Sequence, residues 1–144
     1  MADQTSSSIT INASPEAILA VISDLESYPA WTDAISKVVI DEPGKDGPAK
    51  ATFSMSASGM SDEYTLTYSW KPDGVAWELA APSTLQKSQQ GSYQLTSAGD
   101  STKVDYALTM EIKIPMIGML KRKFQKRITD TALKELKNRV ESLG

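Results

Sequence analysis

The side chains in this sequence that are equipped for chemistry are phenols, indoles, amides and a few carboxylates. Cysteine and histidine are both absent. Their absence removes thiolate nucleophiles, disulfides and zinc–thiolate sites, together with the commonest general base and the commonest metal ligand. A Ser-His-Asp triad cannot be assembled. What remains is gathered by spacing. Tyr64, Leu66, Tyr68 and Trp70 recur at every second position, as do Val75, Trp77 and Leu79, and Val104, Tyr106, Leu108, Met110 and Ile112. Alternate positions of a strand share one face. Tyr64, Tyr68, Trp70, Trp77, Tyr93 and Tyr106, with Phe53 and Met55, are therefore expected on one inner face. Such a set builds an ordinary core or the wall of a ligand cavity, where ring bodies are apolar and a few tips are polar.

Two further groups follow from the same counting. Stepping back by twos from Leu95 and Tyr93 puts Gly91, Gln89, Lys87 and Leu85 on the inner face. A buried lysine needs a partner. Three arrangements meet that need: a bulge near Gly91 that turns Lys87 to solvent, a strand end at a cavity rim, or contact of Lys87 and Gln89 with a ligand's polar group. Among the carboxylates, Glu78, Asp105 and Glu111 fall on the outer face, and Asp62 falls in a turn over Gly59–Asp62 next to Glu63. All are expected on the solvated surface, and no two are forced together as an acid–base pair. The expectation is no catalytic residue, no metal site and no cofactor.

The elements that must position these groups are legible in outline. A short strand spans Ser7–Asn12. Ser14 is an N-cap, Pro15 suits the first helical position, and Ala17, Ile18, Val21, Ile22 and Leu25 form one helical face. Pro29 is expected to stop that helix, with a second helical turn around Thr32–Ile35. From Ser36 the period becomes two, giving strands at Lys37–Asp41, Ala49–Ser58, Tyr64–Trp70, Val75–Leu79, the polar stretch after Pro82, and Val104–Ile112. Turns fall at KPDG (Lys71–Gly74) and AGDS (Ala98–Ser101). A long helix runs from Pro115 to about Leu143. The pattern predicts an α+β fold: a curved antiparallel sheet of about six to seven strands against one long C-terminal helix, with two short helices after the first strand, as a single domain over 1–144.

Composition fits a globular chain of 144 residues with 40% apolar and 23% charged residues. There is no signal-like or membrane-spanning run, so a cytoplasmic location is expected. The net charge of −3 is unevenly spread: residues 1–114 carry −8 and residues 115–144 carry +5. Lys121, Arg122, Lys123, Lys126 and Arg127 cluster away from an apolar row of Ile117, Leu120, Phe124 and Ile128. That basic face is a solvated helix surface, or it makes transient contact with anionic membrane, aided by Met116, Ile117 and Met119. Nucleic acid is not expected, because the rest of the chain is acidic. A second apolar row, Ala132, Leu133, Leu136, Val140 and Leu143, is rotated by about a third of a turn from the first. It is expected to close the core, while the first half of the helix lies over a cavity more loosely.

The stretch ITINASPEAILAVISDLESYPAWTDAI, followed by strands and a helix ending LKELKNRVESL, resembles the START-like, helix-grip (SRPBCC) superfamily over nearly the whole chain, in its polyketide cyclase/dehydrase-like branch. The resemblance implies a deep cavity between sheet and C-terminal helix that holds a lipid, isoprenoid, sterol or polyketide. The residues expected to line it are Phe53, Met55, Tyr64, Tyr68, Trp77, Lys87, Gln89, Tyr93, Tyr106, Met110, Met116, Leu120, Phe124 and Ile128. It also implies that Tyr28 and Trp31 plug one end of the sheet. Binding or transport of a hydrophobic small molecule is the first reading. The alternatives are an aromatase/cyclase-type enzyme using tyrosine and lysine as acid–base groups, and a partner-binding regulator acting through the basic helix.

Overall fold

The structure is a computed structural model that describes residues 4–57, 59–115 and 117–143. The chain runs β1 (Gln4–Ile11), α1 (Pro15–Ser23), a 3-10 turn (Leu25–Ser27), α2 (Tyr28–Trp31), β2 (Ile35–Glu42), β3 (Lys50–Ala57), β4 (Met60–Lys71), β5 (Gly74–Leu79), β6 (Gln86–Ala98), β7 (Ser101–Ile112) and α3 (Gly118–Leu143). The seven strands form one antiparallel sheet in the order β1-β7-β6-β5-β4-β3-β2. Six of them follow one another through short connections, and the first strand closes the far edge beside the last. The long C-terminal helix sits against this sheet, as the helix-grip expectation required.

Local chemistry sets the boundaries. Ser14 caps α1 by accepting from the Ala17 amide at 3.2 Å, with Pro15 at the first turn and Glu16 at the positive end of the helix. Pro29 does not stop this helix. α1 ends at Ser23, and Pro29 instead lies in the first turn of α2, where its missing N–H has no helical partner to lose. The short second helix is therefore Tyr28–Trp31, and Ile35 already belongs to β2. The predicted turn at Lys71–Gly74 is a two-residue hairpin closed by the Lys71↔Gly74 pair. Glycine is needed there because a Cβ would overlap the Tyr93 carbonyl oxygen on β6, and no positive φ is involved.

The fully buried row of α3 is Gln125, Thr129, Leu133, Leu136 and Val140, and Phe124, Ile128 and Ala132 lie half-buried against the core beside it. Leu133, Leu136 and Val140 join Ile11, Ile18, Ile22, Leu25, Val104 and Leu108 in the core. Each such side chain contributes about 1.5–3 kcal/mol by leaving water. Gln125 and Thr129 are polar because the strand beneath them is polar. The Gln125 amide donates to Thr5 Oγ1 at 2.9 Å, and Thr129 Oγ1 lies 2.9 Å from Ser7 Oγ. Ser7 donates to Asp130 (2.7 Å) and accepts from Lys126 (2.7 Å), while Glu141 accepts from the Asn12 amide (3.0 Å). The helix is thus clamped to β1 by hydrogen bonds and further down by apolar packing.

Three carboxylates that tie α3 to its surroundings are held below their ordinary values: Glu111 by the Lys121 ammonium, Asp130 by the Ser7 hydroxyl, and Glu141 by the Asn12 amide. A carboxylate lowered on folding adds stability above its ordinary value, 4.5 for Glu and 3.8 for Asp, and loses it as pH falls through the native value. Acidification from about pH 6 to about pH 3 is expected to strip protection from α3 amides before those of β6 and β7. Hydrogen exchange read along that series checks this; uniform loss of protection would contradict it.

Candidate functional site

The inner face of the sheet carries a continuous aromatic wall. Register places Phe53 opposite Tyr64, Tyr68 opposite Trp77, Trp77 opposite Gly91, and Tyr93 opposite Tyr106. Phe53 and Tyr64 stack at 5.5 Å, Tyr68 and Trp70 at 5.4 Å, and Trp77 meets Tyr106 edge-on at 5.6 Å. Tyr93 and Tyr106 lie 4.8 Å apart. Gly91 is the hollow in this wall, since a Cβ there would overlap the Trp77 indole. Tyr28 and Trp31 pack edge-to-face at 4.9 Å, and Tyr28 reaches Phe53 at 6.1 Å. Tyr28 donates its hydroxyl to the Ile22 carbonyl at 2.6 Å, which ties the short helices to this end of the wall.

Among the described residues, the hydroxyls of Tyr64, Tyr68, Tyr93 and Tyr106 make no hydrogen bond, and none of the four is a fully buried orphan. Tyr64, Tyr68 and Tyr93 are half-buried and Tyr106 is buried. Burial pushes all four phenols well above their usual value. Neighbouring tyrosines add to the rise for Tyr68, Tyr93 and Tyr106, and the Asp62 carboxylate adds to it for Tyr64. They are neutral donors near neutral pH, not bases. Trp31 Nε1 is a buried donor with no partner among the described residues.

Beside the phenols runs a buried polar chain, of which alternation found Trp77 and Gln89 and missed Gln86 and Asp62. Trp77 Nε1 donates to Gln89 Oε1 (3.0 Å), Gln89 donates to Gln86 Oε1 (2.6 Å), and Gln86 donates to Asp62 Oδ2 (3.5 Å). Ser83 Oγ donates to the same carboxylate oxygen at 2.6 Å, and the Glu63 amide donates to Asp62 Oδ1 at 2.9 Å. Asp62 is not in a turn. It is 6% exposed on β4, two positions before Tyr64 on the same face. Its carboxylate is tolerated inside because these three donors surround it.

The lysine expected on the inner face is not there. A register shift between Gln86 and Ser88 inserts one extra residue in β6, so Gln89 and Gln86 both point inward while Lys87 is exposed. The bulge lies four residues before Gly91. Of the other sequence-predicted lining residues, Phe53, Trp77, Gln89, Tyr106 and Met110 are buried and Met55, Tyr64, Tyr68, Tyr93, Phe124 and Ile128 are half-buried. Leu120 is not interior: it is 53% exposed, because the stripe of α3 that faces β1 runs through Gln125 and Thr129. Met116 lies outside the described residues.

α3 takes its close backbone neighbours from β1, β7 and the two short helices, while the aromatic wall is carried mainly by β3–β6. Among the described residues no three acidic side chains are grouped to hold a metal, and no helix is long and apolar enough to cross a membrane.

A curved antiparallel sheet gripping one long C-terminal helix is the START-like helix-grip fold. Residues 3–141 match the family described as polyketide cyclase/dehydrase and lipid transport, and the chain belongs to that family. A START superfamily protein from Mycobacterium smegmatis is 25% identical, with 98% of this chain and 99% of that chain covered and a TM-score of 0.90. The Zhui aromatase/cyclase from Streptomyces shares the fold at 12% identity, 98% and 94% coverage and a TM-score of 0.83. A Thermus thermophilus protein does so at 20% identity, 99% coverage of both chains and a TM-score of 0.81. No curated protein matches the chain.

Proposed function

We propose that this chain binds a hydrophobic small molecule, a lipid, isoprenoid or polyketide-like compound, in a space between the aromatic wall and α3, without transforming it. The observation that carries this reading is the set of four phenol hydroxyls without a protein partner among the described residues. A close-packed core ordinarily supplies a partner for each phenol it covers, so four hydroxyls left without one on the inner face support room for a ligand beside them. Their flat apolar bodies suit a hydrophobic ligand, and their neutral O–H groups suit a few oxygen acceptors on it. Chemistry is less well served: the phenols are poor bases, the sequence has neither histidine nor cysteine, and Lys87 points away.

Native mass spectrometry of the purified protein, followed by extraction, is expected to recover a bound hydrophobic molecule. Tyr93→Phe and Tyr106→Phe should each weaken retention of an oxygenated ligand roughly fivefold, and Lys87→Ala should leave it unchanged. The cyclase reading has one observation of its own, the buried Asp62 beside Tyr64. An empty protein that turns over a polyketide mimic, with turnover lost in Asp62→Asn, would establish that reading and overturn the carrier.

A further inference from the structure

We infer that the start of α3 forms a docking surface for an anionic lipid bilayer. Two ordinary rules are broken there at once. Ile117, Met119 and Leu120 are 68%, 59% and 53% exposed, three of the five large apolar side chains left in water among the described residues, while Val39 and Leu143 stand apart. Leaving such groups in water forfeits the gain that burial would bring. Between Glu111 and Asp130 the sequence has six Lys or Arg and no Asp or Glu. A helix ordinarily favours acids in its first turn, and α3 has none there.

The cations are not all spent inside the fold. Lys121 is turned to β7 and pairs with Glu111 at 2.8 Å, and Lys126 is held by Ser7 and Asp130. Among the described residues, Lys123 and Arg127 make no ion pair or hydrogen bond, and both are exposed. At 100° per residue, Met119, Lys123, Arg127 and Leu120 fall within an arc of about 100°, on the side away from the row that packs on β1. An apolar tip is thus followed by two cations on the same outward stripe. A groove of about 650 Å³ lies alongside, lined by the four cations Arg122, Lys123, Lys126 and Arg127, by Asp130, which pairs with Lys126, and by polar residues of β1.

A bilayer interface answers both irregularities together. The apolar tip enters the headgroup–acyl boundary, and the cations meet anionic headgroups behind it. The charge distribution selects this orientation, because residues 1–114 carry −8 and are repelled by the same surface. An acidic protein would match both features only with an apolar patch set beside its carboxylates, whereas an anionic bilayer presents the two layers at every point. Docking and cavity occupancy are separate measurements, so either can fail alone.

The test is co-sedimentation of the full chain with phosphatidylcholine vesicles, with and without one third phosphatidylglycerol. The wild type is expected to pellet with the anionic vesicles only, and less as salt rises. Each cation near an anionic surface strengthens partitioning roughly fivefold, so Lys123→Glu/Arg127→Glu should weaken it at least about tenfold. Met119→Ser/Leu120→Ser should weaken it while keeping the salt dependence. All four side chains are exposed, and unchanged circular dichroism and melting would show the variants folded. Equal binding to both vesicle types, no binding at low salt, or charge-reversed protein that binds as the wild type does would overturn the proposal. So would a dimer abolished by Met119→Ser/Leu120→Ser without any vesicle binding, which would assign the patch to a second copy of the chain.

Discussion

Gly91→Ala is expected to lower stability by about 3 kcal/mol, a fall of about 10 °C in melting temperature. The added methyl would occupy the space now filled by the Trp77 indole, which lies over Gly91 from the neighbouring strand. The ring has no easy retreat. It is 8% exposed, it touches Tyr68, Tyr93 and Tyr106, and its Nε1 is committed to Gln89. Displacing it forces an off-rotamer side chain and leaves an N–H and an amide oxygen unpaired. Thermal unfolding of the variant checks the size of the effect, and tryptophan fluorescence reports whether the indole moved. A variant within about 0.5 kcal/mol of wild type would mean that the wall is more compliant than its packing indicates.

The second large effect is expected at Asp62. Replacing it with alanine removes the acceptor that Ser83, Gln86 and the Glu63 amide share. The Ser83 bond at 2.6 Å is charge-assisted, and buried donors left without a partner cost the full desolvation penalty. The expected loss is about 3 kcal/mol, read by urea unfolding. Hydrogen exchange should show the damage centred on the start of β4 and the segment around Ser83, with α3 spared. Asp62→Asn keeps one acceptor oxygen and should cost less than half as much.

Much of this arrangement was legible in the sequence, for a definite reason. Alternation in Phe53–Met55, Tyr64–Trp70, Val75–Leu79 and Val104–Ile112 reports a face directly, and those strands have the predicted orientation. Where the reading failed, the deciding contact lies far along the chain. Asp62 sits in a polar run, SDE, that looks like a turn; it is buried because Ser83 and Gln86, 21 and 24 residues later, fold onto it. Strict counting from Tyr93 puts Lys87 inside, and of the three arrangements open to it the bulge is the one realised; it falls at Lys87–Ser88, where neither glycine nor proline fixes its place. Gln125 and Thr129 interrupt the apolar row of α3 because Thr5 and Ser7 await them on β1, and helical periodicity alone reports only the apolar members. Pro29 illustrates the same limit. Proline breaks a helix interior and starts a helix equally well, and only the end of α1 at Ser23 shows which role it has here.

The chain of donors from Trp77 through Gln89 and Gln86 to Asp62 runs in one direction. Each amide passes the bond along in the same sense, so the dipoles add, and the chain ends on the negative charge of the carboxylate. Flipping either glutamine would break two bonds at once, which leaves a single stable sense. The inner wall therefore has a head and a tail. A molecule lying along it would meet a different electrostatic environment at each end, and its two orientations would differ in energy even if its outline were symmetrical.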